Sequence, residues 1–433
     1  MGCITMTIKA SLPLTGTLLM SSMVAVPSAF ADFIGDAKGS LSTQNFYFSR
    51  DFRDGAGQNK REEWAQGFML KLESGYTEGT VGFGVDALGM LGVKLDSSQD
   101  RTGSGLLERG SDGRAEDEYS KLSATVKARI GETELFLGGV SPTLPLLLSN
   151  NSRLFPQIFT GAQLFSNDLD KFTFHLGQVR KVKQRDSDES VDLTTMGQFG
   201  AYDDSVTSDS YTYGGVDFAV TPQTKLSLHA SELKDFYVRQ YLGFKHTHPL
   251  SENSSLFAEV RYFNASETGA ERVGEVDNRA LSTLFGYQLG GHRISGGYQK
   301  LWGDSPFPLL NGADTYLFAQ QNTSLFAQAN ERALHARYDY NFAAIGVPGL
   351  TFTLRYVKGD NVNPENIATP QAAALRAAGE EGREWERTTD ITYVVQSGPM
   401  KDVSLRWRNA SNRTNYTRSN DENRVIIGYA FKF

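Results

Sequence analysis

Residues 121–130 read KLSATVKARI. Successive side chains of a β-strand point to opposite faces, so Leu122, Ala124, Val126, Ala128 and Ile130 share one face. Lys121, Ser123, Thr125, Lys127 and Arg129 share the other. The same alternation recurs in VSLRWR (403–408), LTFTLRY (350–356) and LHARYDY (334–340). A soluble sandwich also alternates, so three further features decide. The alternating segments are about 10 residues or longer, the length of a tilted membrane-crossing strand. Short turns at Thr221-Pro222-Gln223 and Gly290-Gly291 alternate with long segments at 97–118, 186–208, 265–277, 303–331 and 359–385. The sequence ends RVIIGYAFKF, with Val425, Ile427, Tyr429, Phe431 and Phe433 on one face. An amphipathic last strand with a terminal aromatic suits the barrel-assembly machinery of a Gram-negative outer membrane.

Composition agrees with an exported barrel. Lys9 precedes a mostly apolar run, Leu12 to Val26, and Ala29-Phe30-Ala31 has the small-x-small pattern of a cleavage site. We therefore expect a cleaved signal peptide over 1–31 and one barrel domain over 32–433. The run is too short and too interrupted by Pro13 and Gly16 for an anchor helix. The single cysteine, Cys3, falls inside the leader, which excludes disulfides and thiolate metal sites from the mature chain. Mean hydropathy is −0.36. No later stretch approaches the ~20 continuous apolar residues of a transmembrane helix. The chain nevertheless holds 43 Gly, 27 Phe and 18 Tyr, which suits a barrel. A net charge of −7 gives no support to nucleic-acid binding.

Alternation places strands near 40–49, 64–76, 80–96, 119–131, 133–141, 158–166, 171–185, 209–220, 223–234, 236–247, 252–264, 278–290, 291–302, 332–343, 349–358, 386–398, 401–413 and 423–433. Eighteen is an even number, so both ends close on the periplasmic side. The expectation is an all-β fold: a closed, antiparallel, 18-stranded transmembrane barrel wide enough for an aqueous channel. PQAAALRAAG (370–379) suits a short helix within an external loop.

By alternation Lys71, Lys94, Lys127, Arg129, Arg355, Arg406 and Arg408 face the lumen. Arg50, Arg53, Arg180, Lys183 and Arg185 sit near strand ends with a less certain facing. Cations must avoid lipid, where each costs ~2–4 kcal/mol at mid-depth, so inward charge alone proves little. Its sign says more. Acidic residues exceed basic ones overall, 50 to 43, yet Asp and Glu cluster in 96–118 and 186–204 while Lys and Arg face the lumen. A cationic wall facing water eases the passage of anionic groups.

Two segments are too apolar for free loops. SPTLPLLLSNNSRLFPQIFTG (141–161) carries Pro142, Pro145 and Pro156, with four leucines ahead of its Asn150-Asn151 pair. Folded into the barrel it would narrow the pore. YQKLWGDSPFPLLNGADTYLFAQ (298–320) has the same character and adds Asp304 and Asp314. Folded inward it would set acids opposite the basic wall. An ordinary capping loop packed on the rim is the alternative.

These blocks carry a family resemblance. NFYFSRDFRDG (45–55), SATVKARIG (123–131), the LP-x4-NNSRLFPQIFTGA stretch (144–162) and GQVRKVKQRDS (177–187) come first in order. YQKLWGDSPF (298–307), YDYNFAAIGVPGLTFTLRYVKG (338–359), YVVQSGPMKDVSLRWR (393–408) and the terminal strand follow. Together they resemble the OprD family of substrate-specific outer-membrane porins, the outer-membrane carboxylate channels. The resemblance implies an eighteen-stranded barrel whose third loop (142–157) and seventh loop (303–331) fold inward at a constriction. It implies a ladder of lumen cations, for which Lys127, Arg129, Arg406 and Arg408 are the candidates, joined by Arg50, Arg53, Arg180 and Arg185. It also implies a facing acid on the seventh loop, Asp314 first and Asp304 next. Small carboxylates are the implied solutes, basic amino acids in one branch and aromatic or alicyclic carboxylates in the other. The seventh loop lacks a serine- and glycine-rich pocket, which tilts the reading to the second branch. Outer-membrane lipid, lipopolysaccharide and the assembly machinery are the implied partners of a monomer or weak trimer.

An outer-membrane hydrolase and a purely structural barrel are the competing classes. His175, His229, His246, His248, His292 and His335 lie in no GxSxG elbow and no HExxH motif. No catalytic or metal-ligating residue is therefore expected, and no cofactor is implied. The two apolar inward segments disfavour a structural barrel.

Overall fold

A computed structural model describes residues 31–196 and 198–433. But for Ala31, the expected leader lies outside the described residues. Eighteen antiparallel strands form one closed ring. They are β1 Lys38–Phe52, β2 Lys60–Glu73, β3 Gly82–Ser97, β4 Glu118–Ile130, β5 Thr133–Val140, β6 Ile158–Ser166, β7 Phe172–Lys183, β8 Tyr211–Thr221 and β9 Thr224–Leu233. The ring continues with β10 Tyr237–Ser251, β11 Ser254–Glu267, β12 Asp277–Leu289, β13 His292–Trp302, β14 Arg332–Asn341, β15 Leu350–Val362, β16 Gly382–Val394, β17 Ser404–Thr414 and β18 Asn420–Lys432. Each strand pairs with the next, and β18 closes on β1 from Ser40↔Lys432 to Phe52↔Asn420.

Lipid sets the burial pattern. Lys121 is 3 % exposed and its neighbour Leu122 is 72 % exposed, the reverse of a soluble protein. The outward row of the last strand, Val425 to Phe433 by twos, is exposed along its whole length. No helix among the described residues is long and apolar enough to cross a membrane. The strands cross instead, because a closed sheet satisfies every backbone group without water.

All eighteen expected strands are present, and their ends differ by a few residues. β15 runs to Val362 and β16 begins at Gly382, four residues beyond the apolar alternation on each side. The cause is visible at Lys358 and Asp360, which continue the outward row of Leu350, Phe352, Leu354 and Tyr356. Above the membrane an outward residue need not be apolar, while the hydrogen-bond ladder goes on. Tight turns at 131–132, 222–223, 252–253 and 290–291 line one rim. Long loops at 98–117, 184–210, 268–276, 303–331 and 363–381 stand at the other. The helix within the last of these is Pro370–Ala378, capped by the Thr369 hydroxyl and ended at Gly379 with a φ of 67°.

The apolar core lies inside the ring and is largely made of loops. The third loop, 141–157, buries Leu146, Leu147, Leu154 and Phe155 against inward residues such as Phe48, Val179 and Tyr211. The seventh, 303–331, buries Phe307, Leu309, Leu310, Leu317 and Phe326. Each such side chain contributes about 1.5–3 kcal/mol by leaving water. The Asp314 N–H donates to the Leu148 carbonyl at 2.9 Å, tying the two loops together. Arg239 on β10 donates to the Leu146 carbonyl at 2.5 Å and to the Pro308 carbonyl at 2.9 Å, so one buried guanidinium holds both. The fourth loop, 184–210, joins them: Thr195–Met196 pairs with Leu309–Leu310, and the Tyr202 hydroxyl donates to the Pro306 carbonyl. Its acidic composition hid that role.

Candidate solute-guiding site in the lumen

Arg406 and Arg408 project inward from β17 onto Asp390 of β16. Asp390 accepts Arg406 Nε at 2.8 Å and Arg406 Nη2 at 3.1 Å. It also accepts Arg408 Nε at 2.9 Å and Arg408 Nη2 at 2.7 Å. The third N–H edge of Arg408 reaches the Asn322 side chain on the seventh loop. Arg50 on β1 repeats the arrangement with Arg424 on β18. Both donate to Glu422, Arg50 Nε at 2.9 Å and Arg424 Nε at 2.5 Å, and Glu422 is fully buried. Arg337 and Asp339 form a third pair at 2.6 Å on β14. Forked guanidiniums fit carboxylates in this two-pronged way, which fixes both groups. Two of the three carboxylates are shared by two arginines, so the wall keeps a positive balance.

These arginines form one track. Arg424 lies in the fields of Arg50 and Arg408, Arg355 in those of Arg408 and Arg337, and Arg293 in that of Arg337. The line descends around β1, β18, β17, β15, β14 and β13. Arg355 also donates to the Phe318 and Gln320 carbonyls, pinning the seventh loop beside the track.

Asp314 faces this wall from the seventh loop. Burial pushes its carboxyl above the ordinary aspartate range, while a 2.7 Å hydrogen bond from Gln320 and the fields of Arg185 and Arg153 pull it back. Arg185 donates to Asn150 Oδ1 at 2.9 Å and Ser152 Oγ at 2.7 Å, at the tip of the third loop. Arg50, Arg185, Arg408 and Asp314 are thus gathered where the third and seventh loops meet the wall, with Arg406 beside them.

Five other candidates lie elsewhere. Lys127 is inward but bound to Asp86 at 2.6 Å, and Arg129 lies 4.3 Å over the Tyr76 ring. Both sit at the periplasmic end of β4, away from the arginine track. Arg53 is on the outer rim, sharing Asp421 with Arg413. Arg180 also faces outward, with Phe174 and Leu176. It is the extra residue of a β-bulge, since Thr160 pairs with Lys181 and Gly161 with Val179. Asp304 is exposed at the start of the seventh loop, where its backbone carbonyl accepts from Asn366. Alternation counted from Phe174 and Leu176 already puts Arg180 on the outward face, and the bulge shifts the count only beyond it, returning Val182 to the lumen side. Arg424 was legible as the inward neighbour of Val425. Asp390 and Glu422 were legible as inward positions, but alternation does not show which cations they serve.

The profile of the outer membrane porin, OprD family, matches residues 31–433. The chain belongs to the OprD family of outer membrane porins. It is 36% identical over 421 residues to the porin-like protein GalP of Pseudomonas putida, covering 96% of this chain and 97% of that one. Among solved structures, Pseudomonas aeruginosa OccK9 (OpdG) superposes with a TM-score of 0.87 at 42% identity, over 93% of this chain and 100% of that one. Pseudomonas aeruginosa OpdK, solved with vanillate, gives a TM-score of 0.84 at 35% identity with the same coverage. As an OprD-family porin the chain is an outer-membrane channel for small solutes, and its relatives are channels rather than enzymes. Among the described residues no group of three or more His, Cys, Asp or Glu side chains is placed to hold a metal ion.

Proposed function

We propose that this porin gives selective passive diffusion to small carboxylate-bearing solutes, with aromatic or alicyclic carboxylates ahead of basic amino acids. The observation that carries the proposal is the arginine track. Shared carboxylates hold its guanidiniums in place and leave a positive balance toward the water. A solute carboxylate entering from outside exchanges its hydration for successive guanidiniums, so the barrier to an anion falls. Asp314 supplies an opposing charge where the third and seventh loops meet and suits a solute that also bears an ammonium. The relative solved with vanillate, an aromatic carboxylate, supports the ring-bearing class. Residues 1–31 would serve as the export leader. Lipopolysaccharide, the assembly machinery and a monomeric or weakly trimeric state complete the expected setting.

Planar-bilayer recording tests the reading. Replacing Arg406 and Arg408 by Gln should lower benzoate permeability several-fold and leave an uncharged solute of equal size nearly unaffected. Equal loss for both would mean that the arginines support only the fold or the bore, and the proposal would fall.

A further inference from the structure

At the rim that bears the long loops, the outward faces of β12 to β16 end in a row of cations. Counted from the apolar outward positions of each strand, Arg279 shares a face with Phe285, Lys300 with Ile294 and Tyr298, and Arg332 with Leu334. Lys358 follows Tyr356 on β15, and Arg383 and Arg387 share the outward face of Ile391 on β16. The register packs these side chains together. Arg279 is opposite Trp302, Lys300 opposite Arg332, Lys358 opposite Trp385, and Arg387 opposite Tyr356. Opposite residues of an antiparallel pair hold their Cβ atoms ~4.5–5.5 Å apart, so Lys300 and Arg332 set like charges side by side, an arrangement that costs stability.

The protein only partly balances this charge. Six cations on the arc meet three acids, Asp277, Asp360 and Glu381, in a chain whose net charge is −7. Arg332 bonds Asp360 at 2.8 Å, Arg279 stands 4.0 Å from Asp277, and the field of Glu381 reaches Lys300. Lys300 Nζ donates to the Asn330 carbonyl at 2.8 Å and Arg387 to the Asn409 side chain at 3.2 Å, which orders both without neutralising either. The side chains of Lys358 and Arg383 have no hydrogen-bond or ion-pair partner among the described residues. The arc ends at β17, where the next outward cation, Arg413, bonds Asp421 at 2.9 Å. Tyr298, Tyr356 and Trp385 mark its level, with Tyr356 stacked on Trp385 at 5.9 Å. Such rings gather where a barrel wall meets the membrane–water interface. The cations therefore stand among the lipid headgroups at that rim.

We propose that the outward rim of β12 to β16 is a binding surface for lipopolysaccharide, its cations holding the phosphates of the lipid A headgroup. The inference rests on the outer-membrane channel reading, which sets these strand ends in the outer leaflet. Guanidinium forks fit phosphate oxygens in pairs, and a phosphate between Lys300 and Arg332 would relieve their repulsion. Five strands span four gaps of ~4.8 Å. That breadth is more than one phosphate fills and suits a headgroup that carries two. Below the cations, Leu334, Leu354 and Ile294 offer an apolar wall to its acyl chains. None of the six cations faces the lumen, so the surface works independently of the arginine track.

The test uses the full-length porin in detergent, washed free of carried lipid, with binding read by native mass spectrometry. The probes are lipid A with two phosphates, lipid A with one, phosphatidylglycerol and inorganic phosphate. We expect diphosphorylated lipid A to bind at least about tenfold tighter than phosphatidylglycerol, with the monophosphorylated form between them. Raising the salt from about 0.1 M to about 0.5 M should weaken it. Replacing Lys300, Arg332 and Lys358 together by Gln should cost at least about tenfold, and Lys358→Gln alone about fivefold. Lys300→Arg with Lys358→Arg should keep the affinity. Should the triple variant fail to assemble, Lys358→Gln and the salt series carry the test on folded porin. Phosphatidylglycerol or inorganic phosphate binding as tightly as diphosphorylated lipid A would overturn the proposal. So would an unchanged affinity in the Gln variants. Failure of the carboxylate reading looks different: Arg406 and Arg408 variants would then leave benzoate permeability unchanged, while lipid A binding would still depend on the outer row.

Discussion

A carboxylate shared by two arginines behaves differently from either partner. Removing the charge of Asp390 leaves Arg406 and Arg408 free toward the water, so Asp390→Asn should raise the anion-to-cation permeability ratio. Arg408→Gln should lower it. Reversal potentials under a salt gradient measure both, and opposite signs are the expected result. Asp314 adds a pH dependence. Its raised pKa means that it takes up a proton at a pH above the ordinary aspartate range. Acidification through that value removes the negative charge where the third and seventh loops meet, and anion selectivity should rise. By linkage the same shift makes the docked loop more stable below the raised value and less stable as pH rises through it. Asp314→Asn should be anion-selective at every pH and should lose the transition. Gly161 makes a third point. A Cβ there would meet the Gln178 carbonyl at 2.1 Å, beside the bulge at Arg180. Gly161→Ala should lower the unfolding midpoint in denaturant.

At the scale of the element, the pore loops are held by contacts that their own sequences do not announce. The apolarity of 303–331 showed that it wants burial, and the lumen is where burial is available. It did not show Arg239, whose two hydrogen bonds to carbonyls of the third and seventh loops come from a distant strand. Nor did it show Glu386 of β16, which accepts the backbone N–H groups of Asn322, Thr323 and Ser324. Long-range pairings of this kind leave no local signature. Arg239→Ala should loosen both loops at once, giving larger mean conductance and noisier open-state current. Deleting 307–317 should raise conductance further and flatten the preference among carboxylates. Unchanged conductance in the deletion would mean that the loop does not bound the pore.

At the scale of the whole molecule, the barrel was legible because lipid imposes one rule on every crossing: the outward residue is apolar. Leu122, Val126 and Ile130 obey it on β4, and Leu405 and Trp407 obey it on β17. The rule lapses above the membrane, which is why Lys358 and Asp360 obscured the end of β15. It says nothing about which inward cations meet, which is why Lys127 and Arg406 were grouped though they stand on different parts of the wall. The same topology fixes what is reachable from each side. Epitope tags in 98–117 or 363–381 should label on intact cells, and a tag at 222–223 should not. Surface labelling at 222–223 would invert the barrel.

The seam between β18 and β1 has a further consequence for chain order. Gly39 and Phe433 donate to each other's carbonyls at 2.8 and 2.9 Å, so these two positions are side by side on the periplasmic rim. A ring of strands whose ends touch has no privileged starting point. Joining 433 to 38 through a few glycines and reopening the chain at 222–223 would shift the numbering of every strand and leave every neighbour unchanged. Such a circular permutant, given a leader of its own, should insert as the same pore with the same single-channel conductance. If it does not, the order in which strands are made matters to assembly in a way that their final pairing does not reveal.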